Sequence, residues 1–108
     1  MEKNKILSLA GLATKAGKTV SGEFSTEKSV KTGKAYLVIV AGDASENTKK
    51  KFRNMCTWYQ VPCYFLSDKA SLGRCIGKEF RASLALEDEN FAKAMIKEMN
   101  KQCETALK

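Results

Sequence analysis

The residues in this chain that can do chemistry are cations set beside glycines. Ser21-Gly22 leads into a stretch that carries Lys28 and Lys31, and Lys18 stands just before it. The second such place is Leu72-Gly73-Arg74-Cys75-Ile76-Gly77-Lys78-Glu79-Phe80-Arg81, which has three cations, two glycines and one aromatic. A glycine that opens a helix leaves the first-turn N–H groups exposed, and with the helix dipole they attract anions. Lysine and arginine neutralise phosphates, and an unpaired base stacks on an aromatic ring. The chemistry this set suggests is recognition of a phosphorylated polymer with unpaired bases. The competing reading is that Phe80 plugs the edge of the core and the cations are merely solvated.

Catalysis is not expected. The chain has no histidine, so the commonest general base is missing. It has no Gly-x-Gly-x-x-Gly or Walker-type loop. Gly42-Asp43 follows a predicted strand and precedes a predicted helix, but one glycine beside a repelling carboxylate reads as a helix cap. Arg74-Cys75 sets a thiol beside a cation, yet a lone cysteine in an apolar helix belongs to the core. The four cysteines, Cys56, Cys63, Cys75 and Cys103, include no Cys-x-x-Cys pair. A closed zinc site would need all four at irregular spacing. Reduced, buried thiols are expected, with no metal and no cofactor.

Charge supports the polyanion reading. Nineteen Lys and Arg oppose twelve Asp and Glu across 108 residues, a net +7. Residues 1–81 hold fifteen basic and seven acidic residues, whereas residues 82–108 hold four and five. The whole positive excess therefore precedes the last segment, and a basic domain of this size attracts polyanions. No apolar run is long enough to cross a bilayer, and the start lacks the marks of a signal peptide. A cytoplasmic protein without membrane contact is expected.

The elements that must position these residues follow from periodicity. Ile6, Leu9, Ala10, Ala13 and Ala16 share one face of a first helix, which Gly17 stops. Thr19-Val20-Ser21 is a short strand, and a second helix runs from about Phe24 to Thr32, before Gly33. Ala35 to Ala41 is a nearly continuous apolar run, hence a strand covered on both faces. Ser45 or Asp43 caps a third helix, in which Phe52, Met55, Cys56 and Tyr59 form the apolar stripe. Cys63 to Leu66 is a strand, and Ser67 or Asp68 caps a helix reaching about Ile76. Lys78 to Arg81 is a loop and Ala82 to Leu86 a strand. Asp88 caps a last helix with Phe91, Met95, Met99 and Cys103 on one face. This alternation means an α/β domain over residues 1–108, with helices on both faces of a small sheet.

Ser21-Gly22-Glu23, Lys28, Gly33, Leu37-Val38-Ile39-Val40, Asp43-Ala44-Ser45, Asn47-Thr48, Val61-Pro62, Leu72-Gly73-Arg74 and Ile76-Gly77-Lys78-Glu79 together carry a resemblance. In these the chain resembles the ribosomal protein L7Ae/L30e family of kink-turn RNA-binding proteins, and within it the small bacterial members. The resemblance spans nearly the whole chain. It implies a three-layer α/β/α sandwich around a mixed four-stranded sheet, no enzymatic activity, and binding of bent internal-loop or ribosomal RNA in the context of translation. It places Gly22, Glu23, Phe24, Ser25, Lys28 and Lys31 on one RNA-contacting surface. Glu79, Phe80 and Arg81 fall at the second, with Phe80 at the apolar contact to a flipped-out base. Arg74 and Lys78 join the candidate RNA-binding residues from the glycine–cation reading, and Lys78 stands where relatives usually carry an apolar residue. RNA-binding relatives usually carry Asn or Lys, then Glu or Gln, at the positions of Phe24 and Ser25, where they read guanine edges. A monomer with structured RNA as partner and no DNA specificity is expected. The alternative is a protein-interaction factor of the translation or transcription machinery that keeps the fold without specific RNA recognition, a reading that an exposed aromatic at position 24 favours.

Overall fold

The computed structural model describes residues 2–103, with side chains described over 5–100. Nine elements follow in the order α1 (Glu2–Lys15), β1 (Thr19–Ser21), α2 (Glu23–Lys31), β2 (Leu37–Val40), α3 (Glu46–Tyr59), β3 (Cys63–Phe65), α4 (Lys69–Cys75), β4 (Ser83–Leu86) and α5 (Glu89–Cys103). The strands form one sheet in the order β1-β4-β2-β3. β4 runs antiparallel to both β1 and β2, whereas β2 and β3 are parallel. This is the expected three-layer sandwich with a mixed four-stranded sheet.

The two central strands explain the layering. Every residue of β2 and β4 is buried, and successive side chains point to opposite faces. Leu37, Ile39, Leu84 and Leu86 enter a core shared with Ile6, Ala10, Leu72, Met95 and Met99 of α1, α4 and α5. Val38, Val40 and Ala85 enter the other core, with Val30 of α2 and Phe52 and Cys56 of α3. A continuous apolar run in the sequence thus becomes the middle of a sandwich.

Caps set where the helices begin. Of the two candidates before α3, Ser45 is the cap, its side chain accepting from the Thr48 N–H at 3.2 Å. Asp43 instead accepts from the Lys69 N–H at 2.9 Å and so ties the end of β2 to the start of α4. Asp68 caps α4 through the Ser71 N–H at 2.7 Å, and Asp88 accepts from the Phe91 N–H at 2.9 Å. Ser67 takes a positive φ of 64° instead of capping.

Three apolar assignments need correction. Ala16 lies past the end of α1 and is exposed, because the chain has already turned toward β1. Tyr59 is 42% exposed at the last residue of α3, beyond the reach of the sheet. Cys56 is buried, but Cys63 and Cys75 are only half-buried. The side chain of Cys103 lies outside the described residues. Among the described residues, no group of three or more Cys, Asp or Glu is gathered as for a metal.

Phe52 is fully buried between α3 and the sheet. Phe52→Ala should lower unfolding stability by about 3–5 kcal/mol, read as a fall in the denaturation midpoint with an unchanged slope.

Candidate nucleic-acid interface

The candidate surface lies where β1 ends, α2 begins and β4 starts. Gly22 is the N-cap of α2 and sits at φ 90°, a left-handed value that side chains with a Cβ resist. No side chain caps this helix, so its first-turn N–H groups stay open to an anion. The inner face of α2 is Thr26, Ser29 and Val30. Two of these are polar, and each meets a partner on or just beyond β4. The Ser83 hydroxyl donates to Thr26 Oγ1 at 3.3 Å, and the Ser29 hydroxyl donates to Glu87 Oε2 at 2.6 Å. The Gly22 N–H donates to the Ser83 carbonyl at 3.1 Å. α2 is therefore fixed in register on β4 by hydrogen bonds, alongside the apolar packing of Val30.

The loop before β4 is brought to the same place. Arg81 Nε donates to Ser21 Oγ at 3.0 Å, and Arg81 Nη1 donates to the Phe80 carbonyl at 2.7 Å. Its N–H donates to the Lys69 carbonyl at 3.1 Å. Arg81 is thus a bracket between loop and strand, with part of its guanidinium engaged inside the protein. On the other side the loop crosses α4 at Gly73, where a Cβ would stand 2.8 Å from the Glu79 carbonyl carbon and oxygen. Only glycine lets the backbone of 79–80 pass so close. Phe80 is left 62% exposed on the outside of this arch, so it reaches solvent rather than plugging the core.

The link between the arch and the start of α2 is the bond from Arg81 Nε to Ser21 Oγ, one residue before Gly22. Phe24 projects from the first turn of α2 and is 78% exposed. Lys28 follows one turn later, exposed and without an ion pair among the described residues. Lys31 is engaged: its Nζ lies 2.7 Å from Glu27 Oε2. Arg74 and Lys78 are exposed at the end of α4, on the outer side of the arch. No contact among the described residues ties them to α2.

Sequence reasoning missed the residues that hold this surface together. Lys51 of α3 reaches across to α2, 2.7 Å from Glu23 Oε2 and 2.8 Å from Glu27 Oε1. Lys31 and then Lys51, by hydrogen bonding, hold the Glu27 carboxyl down at about 2, and Glu23 and Glu27 push the Lys51 ammonium up. Thr26 and Ser83 are likewise structural supports, whose short side chains give no signal until the partner element is known. Ser21 and Gly73, which stand beside cations in the sequence, are supports as well.

An α/β/α sandwich with an uncapped, glycine-led helix beside a basic arch defines the class. The pattern of the ribosomal protein L7Ae/L30e/S12e/Gadd45 family matches residues 4–96, and the chain belongs to that family. It is 44% identical over 88 residues to the RNA-binding protein YlxQ of Bacillus subtilis (strain 168), covering 82% of this chain and 88% of that protein. The RNA-binding protein YlxQ of Enterococcus faecium is 43% identical over 91 residues, covering 84% and 87%. Among solved structures, a protein of unknown function from Bacillus halodurans C superposes with a TM-score of 0.86 at 36% identity, over 89% of this chain and 97% of that one. The Giardia lamblia 15.5kD RNA binding protein shares the fold, with a TM-score of 0.78 at 23% identity over 97% of this chain and 90% of that one.

The Glu27 carboxyl is depressed from its ordinary 4.5 to about 2. A depressed carboxyl contributes stability in full above its ordinary range, and that contribution is lost as the pH falls from about 4.5 through about 2. A carbon-detected NMR titration should give Glu27 a midpoint near 2, and Lys51→Met should raise that midpoint while Lys31 still keeps it below 4.5.

Proposed function

We propose that this chain is a non-enzymatic RNA-binding protein of structured RNA, ribosomal or kink-turn-like, acting in the cytoplasm beside the ribosome. The observation that carries this reading is the juncture itself. The start of α2 has no side-chain cap, and Lys28 lies exposed one turn along with no ion pair among the described residues. Arg81 bonds the arch that carries the exposed Phe80 to Ser21, and these features support a single RNA-contacting surface. Phosphates seat on the N–H groups and lysine, which position the RNA without reading its sequence. An extruded base stacks on Phe80. The naming of similar proteins as RNA-binding points the same way.

Phe24 and Ser25 bring neither a fork of donors nor a carboxylate to a guanine edge. Base selection at the start of α2 therefore differs from that of relatives with Asn and Glu there, and RNA shape and extruded bases carry more of the recognition. The exposed Trp58 on α3, 81% accessible, favours the protein-interaction alternative. The charge excess and the open helix terminus favour RNA.

Affinity for a structured RNA should fall steeply with salt. With about four phosphates neutralised, the slope of log affinity against log salt should be roughly −3 to −4, and salt-independent binding would refute phosphate-led recognition. Lys28→Ala should weaken all RNAs alike and make the slope shallower by about one. Phe80→Ala should cost about 1–3 kcal/mol on RNAs with an extrudable base, little on a plain duplex, and leave the slope unchanged. Equal binding of a looped RNA by Phe80→Ala and wild type would move the protein-interaction reading ahead.

A further inference from the structure

A groove of about 280 Å³ lies where α2 meets β1 and the segment just beyond β4, lined by Val20, Phe24, Lys28, Ser29, Lys34 and Glu87 among others. We propose that this groove is a second nucleotide subsite, taking an unpaired base with an exocyclic amine from a single-stranded segment next to the structured RNA. The proposal rests on the RNA-binding reading above and adds to it a site and a base preference. The volume lies near the small end for ligand sites, so it suits one nucleotide and excludes a duplex.

Three observations define the occupant. Phe24 forms one wall, and its ring is 78% exposed. A flat apolar ring presented to solvent beside cations is the platform on which bases stack. Lys28 and Lys34 stand among the lining residues without an ion pair among the described residues, and so are available to phosphates on either side of the base. Glu87 is the residue a purely phosphate-binding groove would not contain. Its carboxylate is held by the Ser29 hydroxyl at 2.6 Å, and its backbone N–H donates to the Lys18 carbonyl at 2.7 Å. The residue is held through its backbone and through Oε2, and among the described residues no donor occupies Oε1.

A carboxylate only accepts hydrogen bonds. It repels phosphate, so the edge it meets must be a base edge that donates. Adenine and cytosine each present an amino group, and carboxylates pair with such groups. Guanine offers a ring N–H and an amino group. Uracil presents two carbonyls around a single ring N–H, and it meets this carboxylate least well. The groove therefore selects amino-bearing bases over uracil.

The test is a binding comparison on one hairpin RNA, with no tail, an adenine tail or a uracil tail. The adenine tail should tighten binding roughly fivefold or more, and the uracil tail should add much less. Phe24→Ala should abolish the adenine gain, and because Phe24 is exposed the change spares the core. Glu87→Gln keeps the shape and the bond from Ser29 but adds a donor, so it should narrow the adenine–uracil difference. Equal affinity for all three hairpins would overturn the subsite while leaving the RNA-binding reading standing. Free adenosine monophosphate binding as tightly as the adenine-tailed hairpin would also overturn it, by making the groove a mononucleotide site. Failure to bind any hairpin would overturn the reading on which it rests.

Discussion

The proposed RNA-contacting surface depends on how α2 is seated against the start of β4. Its first turn has no cap and its inner face is largely hydroxyls, so apolar burial alone would not place it. Ser83 makes the placement: its carbonyl accepts from Gly22 and its hydroxyl donates to the fully buried Thr26. A buried hydroxyl left without a partner costs about 1–3 kcal/mol, so a slip of α2 along the strand is penalised. Ser29 on Glu87, one helical turn further along α2, adds a second point of registration. Lys51 holds the outer edge against α3 through two carboxylates.

Because α2 is placed on β4, the loop that leads into β4 is placed beside α2. The arch of residues 78–82 needs no regular structure of its own. Gly73 admits it over α4, and Arg81 fastens it to Ser21. Rigid supports behind an exposed aromatic and open N–H groups keep the surface preorganised, which lowers the ordering cost of binding. The charges follow the same division. Cations with structural duties, Lys51 and Lys31, are paired with Glu23 and Glu27. Lys28 and Lys34 have no such pair among the described residues.

The sandwich was legible because its strongest signals are local. The continuous run Leu37–Val40 announced a strand covered on both faces, and Phe52 with Cys56 announced the buried stripe of α3. Caps were legible as pairs of candidates but not as choices. Asp43 and Ser45 both suit the start of α3, and only the approach of α4 assigns Asp43 to Lys69. The stripe of α1 was read one residue too far, since Ala16 continues the period after the helix has ended. Of the proposed site, Gly22, Lys28 and Phe80 stand out from type and neighbourhood. Thr26, Ser29, Ser83, Glu87 and Lys51 were not, because each acts through a partner distant in sequence. Phe24 was visible as a departure from the family pattern, but the groove beside it is not, since Glu87 lies far along the chain.

If the first turn of α2 and the arch before β4 act as one surface, a structured RNA titrated into the isotope-labelled protein should perturb both in amide NMR. The amides of Gly22 to Ser25 and of Glu79 to Arg81 should shift together and saturate along a single binding curve. Shifts centred on Trp58 and the end of α3, with the α2 and arch amides unmoved, would contradict the account.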